Sequence, residues 1–163
     1  MLIKSIFSIC VVVATLSLAP GQQDLTGIKC VVEGKRSAVA SKAVDYKDGK
    51  VYLCCDHCAD VFKKDAKLAK DAKFSAKANH QLVLTGQYVQ SACPFSDKAI
   101  DQNLTSTVAG VEIGFSCADC QSKIDGLKTI EEKVALLFSD PAFSKVFTVK
   151  QSEDDAAEGD KKH

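Results

Sequence analysis

The sequence predicts an α+β fold of two small tandem β-hairpin-plus-helix units joined by a helix and linker. Three observations carry it. Val51-Tyr-Leu-Cys-Cys-Asp-His-Cys-Ala-Asp-Val-Phe62 reads as a short apolar strand that runs into three cysteines and then a helix. Sixty-two residues further on, Ile113-Gly-Phe-Ser-Cys-Ala-Asp-Cys-Gln-Ser-Lys-Ile124 repeats it, with Cys117 and Cys120 in the places of Cys55 and Cys58. A lone cysteine precedes each pair at nearly the same interval: 24 residues lie between Cys30 and Cys55, and 23 between Cys93 and Cys117.

Residues 1–21 come first. Lys4 precedes an apolar run from Ile6 to Ala19, and Pro20-Gly21 break it. One basic residue, a short apolar core and small residues at its end read as a secretory signal, too short for a membrane span. Cys10 would leave with it, so seven cysteines would remain. That odd number forbids complete disulfide pairing within one chain.

The first unit covers residues 22–66. Gly34 places a tight turn just after Cys30. Tyr46 to Tyr52 reads as a hairpin, with Asp48-Gly49 as a primed two-residue turn between the strands. Residues 56–79 then read as one helix. Asp56 is its N-cap, and Phe62, Ala66, Ala69, Ala72 and Ala76 form a stripe at helical spacing. The lysines on its other faces read as a solvated surface. Residues 67–90 form the connecting helix and linker, in which Gln81 to Gly86 is an apolar run that links the units or adds a strand.

The second unit, with C-terminal helices, covers residues 91–150. Asn103–Val108 and Val111–Phe115 flank Ala109-Gly110 as a second hairpin. A helix follows from Cys117 to about Leu127. Thr129-Ile-Glu-Glu132 fits a capping box that starts a helix through Leu137, and Pro141 opens a helical turn to Phe147. Residues 151–163 carry five acids and no large apolar side chain, which reads as a disordered tail that includes His163.

Twenty-one basic and 21 acidic side chains give a net charge of zero, so nothing electrostatic points to nucleic acid. The three histidines are scattered, and no phosphate-cradling glycine loop is present. The chain offers no hydrolytic machinery and reads as a non-enzyme.

The chemistry lies in the cysteines. A two-residue gap lets both thiolates of a Cys-x-x-Cys turn face one ion, and a helix start favours thiolate over thiol. The upstream cysteine reaches the same ion from the other arm of the unit. Soft sulfur ligands select zinc, copper(I) or iron. The ligand candidates are Cys30, Cys54, Cys55 and Cys58 in the first unit, and Cys93, Cys117 and Cys120 in the second. Cys30 is expected beside Cys55 and Cys58, and Cys93 beside Cys117 and Cys120. Structural zinc prefers four ligands. The first unit can recruit Cys54 or His57. The second has Ser116 where the first has Cys54, and would need Asp97, Asp119, water or a distant residue. Three thiolates alone suit copper(I).

These residues resemble the YHS/TRASH group of treble-clef-like metal-binding domains. The matching pieces are Cys30 with Gly49-Lys-Val-Tyr-Leu-Cys-Cys-Asp-His-Cys58, and Cys93 with Gly110-Val-Glu-Ile-Gly-Phe-Ser-Cys-Ala-Asp-Cys120. Phe62 matches the aromatic that the group keeps after its last cysteine. The resemblance covers about residues 28–66 and 91–127. The Cys-Gly-Met opening common in the group is absent from both units. It implies metal sensing, trafficking or metal-stabilised structure. The expected function is an exported (periplasmic or secreted) protein that holds zinc or copper(I), its partner being the metal ion. Two alternatives compete: a thiol–disulfide redox protein, since exported Cys-x-x-Cys pairs also build those, and a module with purely structural disulfides.

Overall fold

The computed structural model describes residues 24–64 and 71–151, and they form a mixed α+β structure of short helices and two-stranded antiparallel sheets. The leader of residues 1–21, with Cys10, and the tail beyond Gln151 lie outside the described residues. Among the described residues no helix is long and apolar enough to cross a membrane.

Each hairpin grows from its turn. Strand β1 (Ala43–Tyr46) pairs with β2 (Gly49–Tyr52), Tyr46 opposite Gly49. The turn residues are therefore Lys47 and Asp48, one position earlier than the glycine signal predicts, and Lys47 takes a φ of 51°. Gly49 serves a close approach instead. A Cβ there would lie 2.8 Å from Gln87 Oε1 and 2.9 Å from Leu82 Cδ2.

Helix α1 (Asp56–Lys64) follows the first hairpin directly. The single helix predicted over 56–79 is two. At Asp71 the backbone is extended, and its carboxylate accepts from the amides of Lys73 and Phe74. That N-cap starts α2 (Ala72–Leu84), a fresh helix. The apolar run from Gln81 ends α2 rather than forming a strand. The alanine spacing runs on unbroken in the sequence from 66 to 76 and carries no information about this break.

Further on, β4 (Asp101–Val108) pairs with β5 (Val111–Phe115) around Ala109 and Gly110, which is the hairpin expected, and both turn residues take positive φ, as a primed turn requires. Helix α3 (Ala118–Asp125) follows. Thr129 and Glu132 close a capping box at the start of α4 (Ile130–Leu137), and Pro141 lies in the first turn of α5 (Asp140–Val146). Two three-residue strands had no legible signal: β3 (Tyr88–Gln90) and β6 (Phe147–Val149) pair antiparallel, Gln90 opposite Phe147.

One apolar core serves both hairpins. Val51 and Leu53 of the first unit, Ile113 and Phe115 of the second, Leu82 of α2 and Phe138 after α4 are all fully buried in the same cluster. Helix α2 therefore lies inside a shared core. Asn79 on it is fully buried, and its Nδ2 donates to the Phe138 carbonyl at 2.8 Å and to Asp140 Oδ1 at 2.9 Å. This ties α2 to the ends of α4 and α5.

Candidate metal centre

Cys30 sits at the head of a tight turn. Its amide donates to the Arg36 carbonyl (2.9 Å), and its carbonyl accepts from Gly34, whose φ of 81° lets the chain reverse. The turn aims the amides of Glu33 and Val32 at the Cys30 sulfur, which is fully buried.

The other sulfurs come from the junction of β2 and α1. The β ladder ends at Tyr52. Leu53 makes the last extended backbone bonds, donating to the Lys42 carbonyl and accepting from the Val39 amide, and the Ala59 amide already bonds back to Cys55 in helical fashion. The pleat is therefore broken before Cys54. Cys54 and Cys58, four residues apart, then stack one helical turn apart, with their sulfurs 3.6 Å from each other. The sulfurs of Cys30, Cys54 and Cys58 all lie within 4.8 Å of one another. The sequence expected Cys55 in this trio. Cys55 instead stands outside it, half-buried, with its sulfur 3.8 Å from that of Cys54. His57 is exposed on α1.

The cysteines of residues 93–120 sit in comparable local surroundings. Cys93 is fully buried at the head of a turn, its amide donating to the Lys98 carbonyl and its carbonyl accepting from Asp97, whose φ is 57°. Cys117 caps α3, and its carbonyl accepts from Gln121 as that of Cys55 accepts from Ala59. Ser116, at the position of Cys54, lies with its Oγ 3.8 Å from Cys120 Sγ and 2.7 Å from Ser96 Oγ. The counterpart of the Cys30–Cys54–Cys58 trio is thus Cys93–Ser116–Cys120, with a hydroxyl where the third thiol would be. Cys117 lies apart from Cys93 but close to Cys120, sulfur to sulfur 3.1 Å. Cys93, Cys117 and Cys120 do not form a mutually close trio; Cys30, Cys54 and Cys58 are the group among the described residues that does. Asp97 is engaged by Lys145 at 2.6 Å, and Asp119 is exposed.

Two glutamines with no sequence signal hold these arms together. Gln81, buried on α2, accepts from the Tyr52 amide and donates to the carbonyls of Tyr52 and Lys29. Gln90, at the end of β3, accepts from the Gly114 amide and donates to the carbonyls of Gly114 and Ala92. Tyr52 and Gly114 each stand three residues before the cysteine at the helix start, Cys55 and Cys117. Lys29 and Ala92 each stand one residue before the turn cysteine. Each glutamine therefore pins the turn of one unit to the strand of its own hairpin. They occupy different elements, so no sequence repeat reveals them.

Proton affinity divides the thiols. Burial raises that of Cys30, but the amides of Glu33, Cys54 and Val32 more than offset it, so its thiolate is favoured. Burial pushes the Cys54 thiol up. Cys58 is raised strongly, first by burial and then by the sulfurs of Cys54, Cys55 and Cys30. Cys55 is lowered, chiefly by the Cys58 amide. The first cluster thus holds thiolates and protons together, and a cation can replace those protons. In the second unit burial raises Cys93, but the hydroxyls of Ser116 and Ser96 and the amides of Phe95 and Ser116 bring it down to about 6. Cys117 is lowered by the thiol and amide of Cys120, and Cys120 is raised by Cys117 and by burial.

Such an arrangement can bind a thiophilic cation at the first unit, and it can exchange electrons through neighbouring thiols at the second. No family model, no curated protein and no solved structure matches this chain.

Proposed function

We propose that this chain is an exported metal-binding protein whose first unit holds zinc or copper(I) on Cys30, Cys54 and Cys58. It serves metal handling or metal-stabilised structure, and it is not an enzyme. The observation that carries the reading is the trio of sulfurs within 4.8 Å of one another. Thiolates that share one zinc at bonds of about 2.3 Å stand about 3.8 Å apart. The 3.6 Å between Cys54 and Cys58 fits that spacing with little movement. The donor set is soft, which suits zinc and copper(I) and disfavours calcium or magnesium. Copper(I) is satisfied by the three sulfurs. Zinc takes Cys55 as a fourth, because its sulfur lies 3.8 Å from that of Cys54.

The repeated turn, hairpin and helix, each pinned by one glutamine, support two tandem units of the YHS/TRASH-like treble-clef kind. The apolar leader supports export.

Native mass spectrometry of the mature protein tests the reading. The reduced chain should take up one zinc or one copper(I), and Cys54→Ser should lose it. Cys55→Ser separates the metals, since it weakens zinc and leaves copper(I) unchanged. A reduced wild-type chain that takes up neither ion sinks the proposal.

A further inference from the structure

We infer that the second unit carries a thiol–disulfide couple, Cys117–Cys120, that reacts with small-molecule disulfides independently of any metal at the first unit. The two sulfurs are 3.1 Å apart, so a bond of about 2.05 Å needs only a shift of about 1 Å. Their exposures are divided as such a couple requires. Cys117 is exposed at the start of α3, where an external disulfide can reach it, and Cys120 is buried behind it. The neighbouring position decides the difference between the units. In the first unit Cys54 stands within 3.8 Å of both Cys55 and Cys58, so three thiols compete for any oxidation there and a cation can hold them all. In the second unit that position is Ser116, which can neither join a disulfide nor bind a soft ion as a thiolate does. The hydroxyl removes the metal trio and leaves the pair.

The chemistry closes without a further reagent. The Cys117 thiolate attacks one sulfur of the external disulfide. That S–S bond breaks, one thiolate leaves and takes a proton from water, and a mixed disulfide stands on Cys117. Cys120 gives its proton to water and attacks the Cys117 sulfur. The second external thiolate leaves and is protonated in turn. The chain is oxidised by two electrons, and one disulfide is reduced to two thiols. Cys93 also lies near Cys120, close enough to raise its proton affinity, and is the rival for it among the described residues.

The test uses the full mature chain, reduced and then equilibrated in glutathione buffers of graded ratio, with differential alkylation and peptide mapping. The expected product is a Cys117–Cys120 disulfide that forms with or without zinc present. Cys120→Ser should accumulate one glutathione on Cys117, and Cys117→Ser should accumulate none at Cys120. Stopped samples of the wild type should show glutathione on Cys117 before the internal disulfide, which covers the case of a variant that fails to fold. A Cys93–Cys120 disulfide, first glutathionylation at Cys120, or thiols at both positions across the whole series would overturn the inference. The Cys30, Cys54 and Cys58 peptides report the metal site in the same digest, so the two readings fail separately.

Discussion

At the scale of single residues, position 54 and its counterpart 116 decide what each unit can hold. Cys54 completes a trio of sulfurs, whereas Ser116 contributes a hydroxyl 3.8 Å from Cys120. Exchanging them should exchange the property. Ser116→Cys is expected to place a third thiol beside Cys93 and Cys120 and to create a second metal equivalent, read as a doubled thiolate-to-cobalt charge-transfer band. A single equivalent in that variant would show that the backbone of the second unit, and not its missing thiol, excludes the ion. Ser116 also governs Cys93. The folded pKa of Cys93, about 6, lies below the usual thiol range, so its thiolate contributes stability that is full above about pH 8.5 and is lost as pH falls through about 6. The ultraviolet thiolate signal that Cys93→Ser removes should therefore titrate near pH 6. In Ser116→Ala the midpoint should rise towards about 8.5. An unmoved midpoint would assign the shift to the Ser96 hydroxyl and the backbone amides. The trio's membership was only half legible in the sequence. The residue spacing put Cys54, Cys55 and Cys58 together, but the choice between Cys54 and Cys55 turns on where the β pleat stops, and that is set by Leu53 and the immediate start of α1.

At the scale of elements, the hairpins and the capping box at Thr129 were readable because their signals are local. The turn at Lys47-Asp48 fell one residue early because Gly49 answers to Leu82 and Gln87, neither of them near it in sequence. Strands β3 and β6 were illegible for the same reason, since three residues carry no period and each is a strand only through the other. The glutamine pins are the clearest case. Gln81 closes the open edge of β2 at Tyr52 and holds Lys29, beside Cys30, against it. Gln81→Met keeps the side-chain length and removes those bonds. It should cost roughly 1–3 kcal/mol in urea unfolding, the penalty for a buried donor and acceptors left open. It should also weaken metal binding, because the Cys30 turn loses its anchor. If stability falls and affinity does not, the pin supports the fold without setting the site.

At the scale of the whole molecule, both hairpins drain into one apolar cluster, so the two units are not independent bodies. Unfolding should be a single transition, with helical circular dichroism and alkylation of Cys30 and Cys93 changing at the same urea concentration. Zinc that binds only at the first unit should then protect Cys93 as well, by about 2.7 kcal/mol at a free concentration about 100 times its Kd. Two separate transitions would show that the core is not shared energetically. The pairing of β3 with β6 adds a consequence in time. The hairpins close across two-residue turns, but this ladder forms only when the ends of residues 91–146, a loop of 56 residues, meet. Closing so long a loop is slow and entropically costly. The last step of folding should therefore be the seating of the C-terminal strand, after both cysteine turns exist. A newly made chain would then present its thiols to metals and oxidants before its final strand locks them in place.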